Sequence, residues 1–170
     1  MELNDNAERV LKSNIKILFE QLENAVDEYI RSGHCMGEFN FINAYLSATL
    51  NAVVAYIDRL IEVKRMLEND IVEALKFANN LQKHNPQLIR MVKSNGGFEF
   101  PFCIEEDGVE IIEISIVWDE CIGLKTKKSS QKESYEKYFQ QRKVIDTLTP
   151  IITYLLDGRE AEINQHIFTL

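Results

Sequence analysis

Nowhere in its 170 residues does this sequence hold the roughly 20 consecutive apolar side chains that would span a bilayer. Its start, Met1-Glu2-Leu3-Asn4-Asp5, is acidic and has neither the basic beginning nor the apolar core of a secretory signal. Three cysteines, Cys35, Cys103 and Cys121, stand far apart. Their odd number and wide spacing exclude a complete disulfide framework and a CxxC metal site, so free thiols and a cytoplasmic location are expected. An excess of cations is missing too. With 19 basic and 27 acidic residues the net charge is −8, the wrong sign for gripping nucleic acid over the whole surface.

Most catalytic signatures are also absent. There is no glycine-rich phosphate loop, no HExxH, no GxSxG and no Cys/His set at zinc spacing. The acidic turn Glu105-Glu106-Asp107 lacks the spaced oxygen ligands of a calcium loop and reads as a solvated hairpin tip. No cofactor and no metal are expected.

What is present is an ordinary soluble composition, 45% hydrophobic and 27% charged, in one domain over residues 1–170. A chain of this length buries roughly two thirds of its unfolded surface, enough to need no staple. From Asp5 to Arg31 apolar residues such as Val10, Leu18, Leu22, Val26 and Tyr29 keep close to helical spacing, with no Pro or Gly between them. Gly33 supplies a stop, and His34 belongs to the exposed loop that follows. A second helix is expected over about Phe39 to Met66, its small residues Ala44, Ser47, Ala48, Ala52 and Ala55 admitting a close neighbour. Asn43, Ser47 and Asn51 form a polar stripe for which solvent is the default.

Asn69 or Asp70 can cap a third helix, and Glu73 completes a capping-box pattern with Asp70. Pro86 disfavours helical geometry at Asn85, so this helix ends near Lys83 or His84. His84 then lies in the last turn, where the helix dipole favours its charged form. Gln87 to Lys93 reads as one more helical turn. The period then changes. Phe98, Phe100, Phe102 and Ile104 alternate with other residues, Asp107-Gly108 supplies turn chemistry, and Val109 to Trp118 is β-branched, with a bulge near Ile111-Ile112. A fourth helix is expected from Lys132 to about Leu148, interrupted or restarted at Pro150, and a short one over Arg159 to Leu170, where His166 packs. The fold class is thus mainly α, a bundle of about four to five helices with an antiparallel β-hairpin inserted near residues 98–118. Lys125 to Lys143 carries seven cations against two carboxylates and reads as a solvated linker and helix start.

One constellation remains, at Phe77-Ala78-Asn79-Asn80-Leu81-Gln82-Lys83-His84-Asn85-Pro86. It resembles the HEPN superfamily, helical bundles that include many metal-independent ribonucleases, often toxins or defence proteins acting as homodimers. The family motif is an arginine, usually followed by a polar residue, with four residues between that arginine and a histidine near a helix end. Here Asn79 occupies the arginine position, Asn80 the polar position and His84 the histidine position. The surrounding layout over about residues 40 to 160 is similar as well: a long helix rich in alanine and serine before the motif, then a proline, a strand pair and closing helices.

The resemblance implies that His84 moves a proton at a ribose hydroxyl or leaving oxygen while a cation stabilises the charge growing on the phosphoryl group. Asn79 cannot supply that charge, and Arg90 is the candidate substitute. Three readings follow. The favoured one is a non-catalytic or weakly active HEPN-like homodimer, a binding module with an RNA or protein partner, linked to RNA or to a toxin or defence system. The second is a metal-independent ribonuclease using His84, with Asn80 and Arg90 helping. The third is a structural protein of a virus or mobile element that assembles through the hairpin edge.

Overall fold

The computed structural model describes residues 4–32, 36–84, 88–95, 112–120 and 129–157. Within them five helices and one strand pair follow in order: α1 (Asp5–Arg31), α2 (Met36–Glu62), α3 (Asp70–His84), β1 (Ile89–Asn95), β2 (Ile112–Trp118), α4 (Ser129–Tyr138) and α5 (Val144–Asp157). The architecture is mainly helical, a bundle carrying an antiparallel strand pair, as the sequence leads one to expect.

Asn4 begins α1 by accepting a hydrogen bond from the Asn6 amide at 2.9 Å, and Asp5 and Glu8 place negative charge at the positive end of the helix. Ile15, Phe19, Leu22, Val26 and Tyr29 turn inward at three- and four-residue spacing. They meet Ile42, Leu46, Leu50, Val53 and Ile57 in one continuous core that also takes in α3, the strands, α4 and α5. Burying one such side chain stabilises the fold by roughly 1.5 to 3 kcal/mol.

The end of α2 is set by backbone chemistry. The Arg65 amide bonds the Leu60 carbonyl at 2.8 Å and the Lys64 amide bonds that of Ile61 at 3.0 Å, a Schellman turn with Lys64 in the left-handed region at φ 60°. The chain therefore leaves the helix at Glu62, earlier than apolar spacing through Met66 suggests. Asn69 then caps α3, its Oδ1 accepting from the Ile71 and Val72 amides, both at 3.0 Å. The box expected of Asp70 and Glu73 does not form. Asp70 sits inside the first turn and holds α4, accepting from the Tyr138 hydroxyl at 3.3 Å.

Three expectations are corrected. Ile89 to Lys93 is strand, not a helical turn, because Ile89, Met91 and Lys93 pair with Trp118, Ile116 and Ile114 across the ladder. The partner of β2 in that ladder is thus 89–95, while residues 98–104, the Asp107-Gly108 turn and Ile111 lie outside the described residues. The single helix expected from Lys132 is two helices. Gln141, at φ 62°, turns the chain out so that its amide donates to the Trp118 carbonyl at 2.9 Å and the Trp118 amide donates to Arg142 O at 3.0 Å. Pro150, by contrast, lies within α5 without ending it. Where Trp118 meets α4, it packs with Tyr135 and Phe139, ring centroids 6.3 and 5.1 Å apart, in a fully buried aromatic cluster joined by Phe77.

No helix among the described residues is long and apolar enough to cross a membrane. The three cysteines, His34, His166 and the segment 159–170 lie outside the described residues.

Candidate functional site

His84 is the last residue of α3 and is exposed. Asn80, four residues earlier, is exposed on the same side of the helix, so an imidazole and an amide share one surface. Asn79 does not join them. It is only 4% exposed, packed inward with Val72, Leu75 and Ala78, since four residues from Leu75 and seven from Val72 is the spacing of the buried face. Its Oδ1 is buried and has no hydrogen-bond partner.

Arg90 stands on β1, and its guanidinium Nε lies 3.2 Å from Asp119 Oδ1, just beyond β2. Asp119 is itself fixed. Its amide bonds the Leu88 carbonyl at 2.8 Å, and its carbonyl accepts from the Tyr135 hydroxyl at 2.9 Å. Arg90 is thereby held against its own sheet by a carboxylate that the aromatic cluster positions. The four sequence candidates divide into an exposed pair, His84 and Asn80, a buried amide, Asn79, and a cation engaged elsewhere, Arg90.

A buried polar contact has no counterpart among the sequence candidates. Gln82, 5% exposed, donates from Nε2 to the Asn43 carbonyl at 3.2 Å and to Asn43 Oδ1 at 3.4 Å, while its own Oε1 is unpartnered. Asn43 in turn donates to the Phe39 carbonyl at 3.1 Å. The stripe of Asn43, Ser47 and Asn51 is half-buried rather than facing open solvent, because Asn43 serves the α2–α3 contact. The sequence does hold a signal for Gln82, which lies three residues from Asn79 and seven from Leu75 on the same inward phase.

Of the basic run, the described Lys132 pairs with Glu136 at 3.5 Å and Lys137 with Asp70 at 3.7 Å, so part of its charge is answered locally. Among the described residues no group of three or more His, Cys, Asp or Glu side chains is placed to hold a metal ion. Compared with protein-family models, with curated proteins and with solved structures, the chain matches none.

Proposed function

We propose that this chain is a non-catalytic, HEPN-like homodimeric binding module, acting in the cytoplasm on an RNA or a protein of a toxin or defence system. The observation that carries this reading is the burial of Asn79 beside an exposed His84. Where the resemblance calls for an arginine, the side chain is neutral and turned into the core. The other candidate cation, Arg90, is paired with Asp119. An imidazole can shuttle a proton, but phosphoryl transfer also needs preorganised positive charge on the oxygens, and losing one such donor costs about 3 to 4 kcal/mol. Such a loss reduces the rate by roughly a hundredfold to a thousandfold.

The exposed pairing of Asn80 with His84 favours one rival, a metal-independent ribonuclease. The two are separated by incubating a mixed RNA pool in EDTA with the purified protein and with His84→Ala. We expect no cleavage by either. Cleavage that disappears in His84→Ala would overturn the non-catalytic reading. Light scattering on the same samples reads the assembly, a closed dimer being expected and a monomer or an open-ended polymer counting against it.

A further inference from the structure

α1 and α2 leave a groove of about 500 Å³ between the last turns of the first helix and the opening turns of the second. Ala25 forms part of its lining, and its small side chain leaves the concavity open. Along α2 the groove is bordered by Phe41, 60% exposed despite its size, and by half-buried Tyr45. Along α1 it is bordered by Asp27, Glu28 and Arg31. An aromatic wall thus faces a polar one, in which Asp27 and Glu28 outnumber Arg31 and the amides of Gln21 and Asn24 stand beside them.

The charge on that helix is one-sided. From Glu20 to Arg31 it carries Glu20, Glu23, Asp27 and Glu28 against Arg31 alone. Arg31 lies 3.6 Å from Asp27, with both side chains mostly in solvent, so the contact contributes little. Glu28 has no ion-pair partner among the described residues. Phe41 stands one residue before buried Ile42 and five before buried Leu46, off the inward phase of α2. The structure leaves it as a large exposed aromatic at the rim of an acidic groove.

We propose that this groove is a docking surface for an amphipathic helix of a partner protein that presents arginine beside apolar residues. Arginine suits both walls at once: its guanidinium pairs with carboxylates through a planar fork and its face stacks on an aromatic ring. Apolar neighbours one helical turn away cover Phe41 in the helix-in-groove manner. From Gln21 to Arg31 the α1 wall runs about 15 Å, close to three turns of a partner helix. Nucleic acid is disfavoured, because its phosphates would meet Asp27 and Glu28. A two-fold contact with a second copy would set the same carboxylates against one another.

The inference rests on the reading of this chain as a binding module, and names the surface and the chemistry of the partner. Its test is titration calorimetry of the full chain with a synthetic helical peptide of leucine and arginine at three- and four-residue spacing. A peptide with glutamate in place of arginine is the control. Phe41→Ala and Glu28→Lys change the groove, and Glu62→Lys changes an exposed carboxylate at the far end of α2. Circular dichroism confirms folding of each, as all three positions are exposed. We expect the arginine peptide to bind, the glutamate peptide not to bind, and both groove variants to bind about tenfold more weakly with Glu62→Lys unchanged. Absence of binding at millimolar peptide overturns the proposal. So does equal binding by groove variants and Glu62→Lys, which would mean attraction to net charge alone. Self-association abolished by Phe41→Ala would overturn it too, by making a second copy the occupant. Peptide failure with no RNA cleavage removes the groove and keeps the non-catalytic reading; cleavage lost in His84→Ala removes that reading whatever the peptide does.

Discussion

Arg65 Nη1 donates to Glu8 Oε2 at 2.7 Å, tying the first turn of α1 to the turn that ends α2. The other oxygen, Oε1, accepts from the Tyr56 hydroxyl at 2.9 Å and lies 3.1 Å from Lys12 Nζ. One carboxylate therefore joins three segments of the bundle. It sits in place because the Schellman turn at Lys64 delivers Arg65 to it.

The bond from Arg65 holds the Glu8 carboxyl down to about 2 from an ordinary 4.5, against burial, which opposes the shift, with Lys12 and Tyr56 assisting. A depressed carboxylate adds stability above its unfolded value and loses it as acid protonates the native state. Stability owed to Glu8 is thus fully present above about pH 4.5 and falls away toward pH 2. Glu8→Gln should lower unfolding free energy at neutral pH by about 1 to 2 kcal/mol, a screened value for a contact at the protein's edge. Urea titrations at pH 7 and pH 3 check this. The gap between wild type and variant should narrow at the lower pH, and a constant gap would remove the ionic contribution.

Glu23, on the same helix, is expected to behave with the opposite sign. Burial raises its carboxyl above 4.5, and neighbouring Asp27 and Glu20 push the same way. Its ionised form then opposes folding, and stability is lost as pH rises past the unfolded value. Glu23→Gln should leave stability unchanged or raise it by a few tenths of a kcal/mol at neutral pH, the effect being small because water screens the site. A loss comparable to that of Glu8→Gln would show that Glu23 makes a stabilising contact.

Lys64 adopts φ 60° where helix ends favour glycine. A side chain in the left-handed region costs roughly 1 to 2 kcal/mol, which glycine avoids while giving back part of it through a more flexible unfolded chain. Lys64→Gly should raise stability by about 0.5 kcal/mol, and Lys64→Val should lower it. The midpoint of urea unfolding, compared at constant slope, reads both.

Helix ends such as this one divide by how local their signals are. The limits of α1 and α3 are legible in the sequence because they are written nearby: an unbroken apolar period over Asp5 to Arg31, and Asn69 just ahead of Ile71 with Pro86 just after the last turn. β1 is not, since Ile89-Arg90-Met91-Val92 is compatible with either period until Trp118 and Ile116 are placed opposite it. The break between α4 and α5 is hidden for the same reason, as the Trp118 carbonyl that receives the Gln141 amide is 23 residues away in sequence. At the candidate site, matching Asn79 to a motif by position ignores the helical phase that Leu75 and Val72 impose on it. Phe41 makes the same point on α2: an apolar side chain five residues before Leu46 and nine before Leu50 is off the inward phase, and it stands exposed at the rim of a groove.

Asn79 carries the sharpest test of the proposed function. Its Oδ1 is buried without a partner, a condition that typically costs about 1 to 3 kcal/mol. Asn79→Leu keeps the branch at Cγ and removes the unpaired oxygen, so stability should rise or stay level despite some crowding from the extra methyl volume. Asn79→Arg restores the residue that the HEPN resemblance asks for, yet it must carry a charge into a position that is 4% exposed. It should destabilise the bundle by about 3 kcal/mol or more, as buried charges without a partner do. It should also produce no RNA cleavage in EDTA, because a side chain on the inward phase of α3 does not reach the surface that His84 and Asn80 share. Should Asn79→Arg fold with unchanged stability and cleave RNA in a His84-dependent way, α3 would be turned differently from the orientation described, and catalysis would have been lost by one substitution rather than by the geometry of the helix.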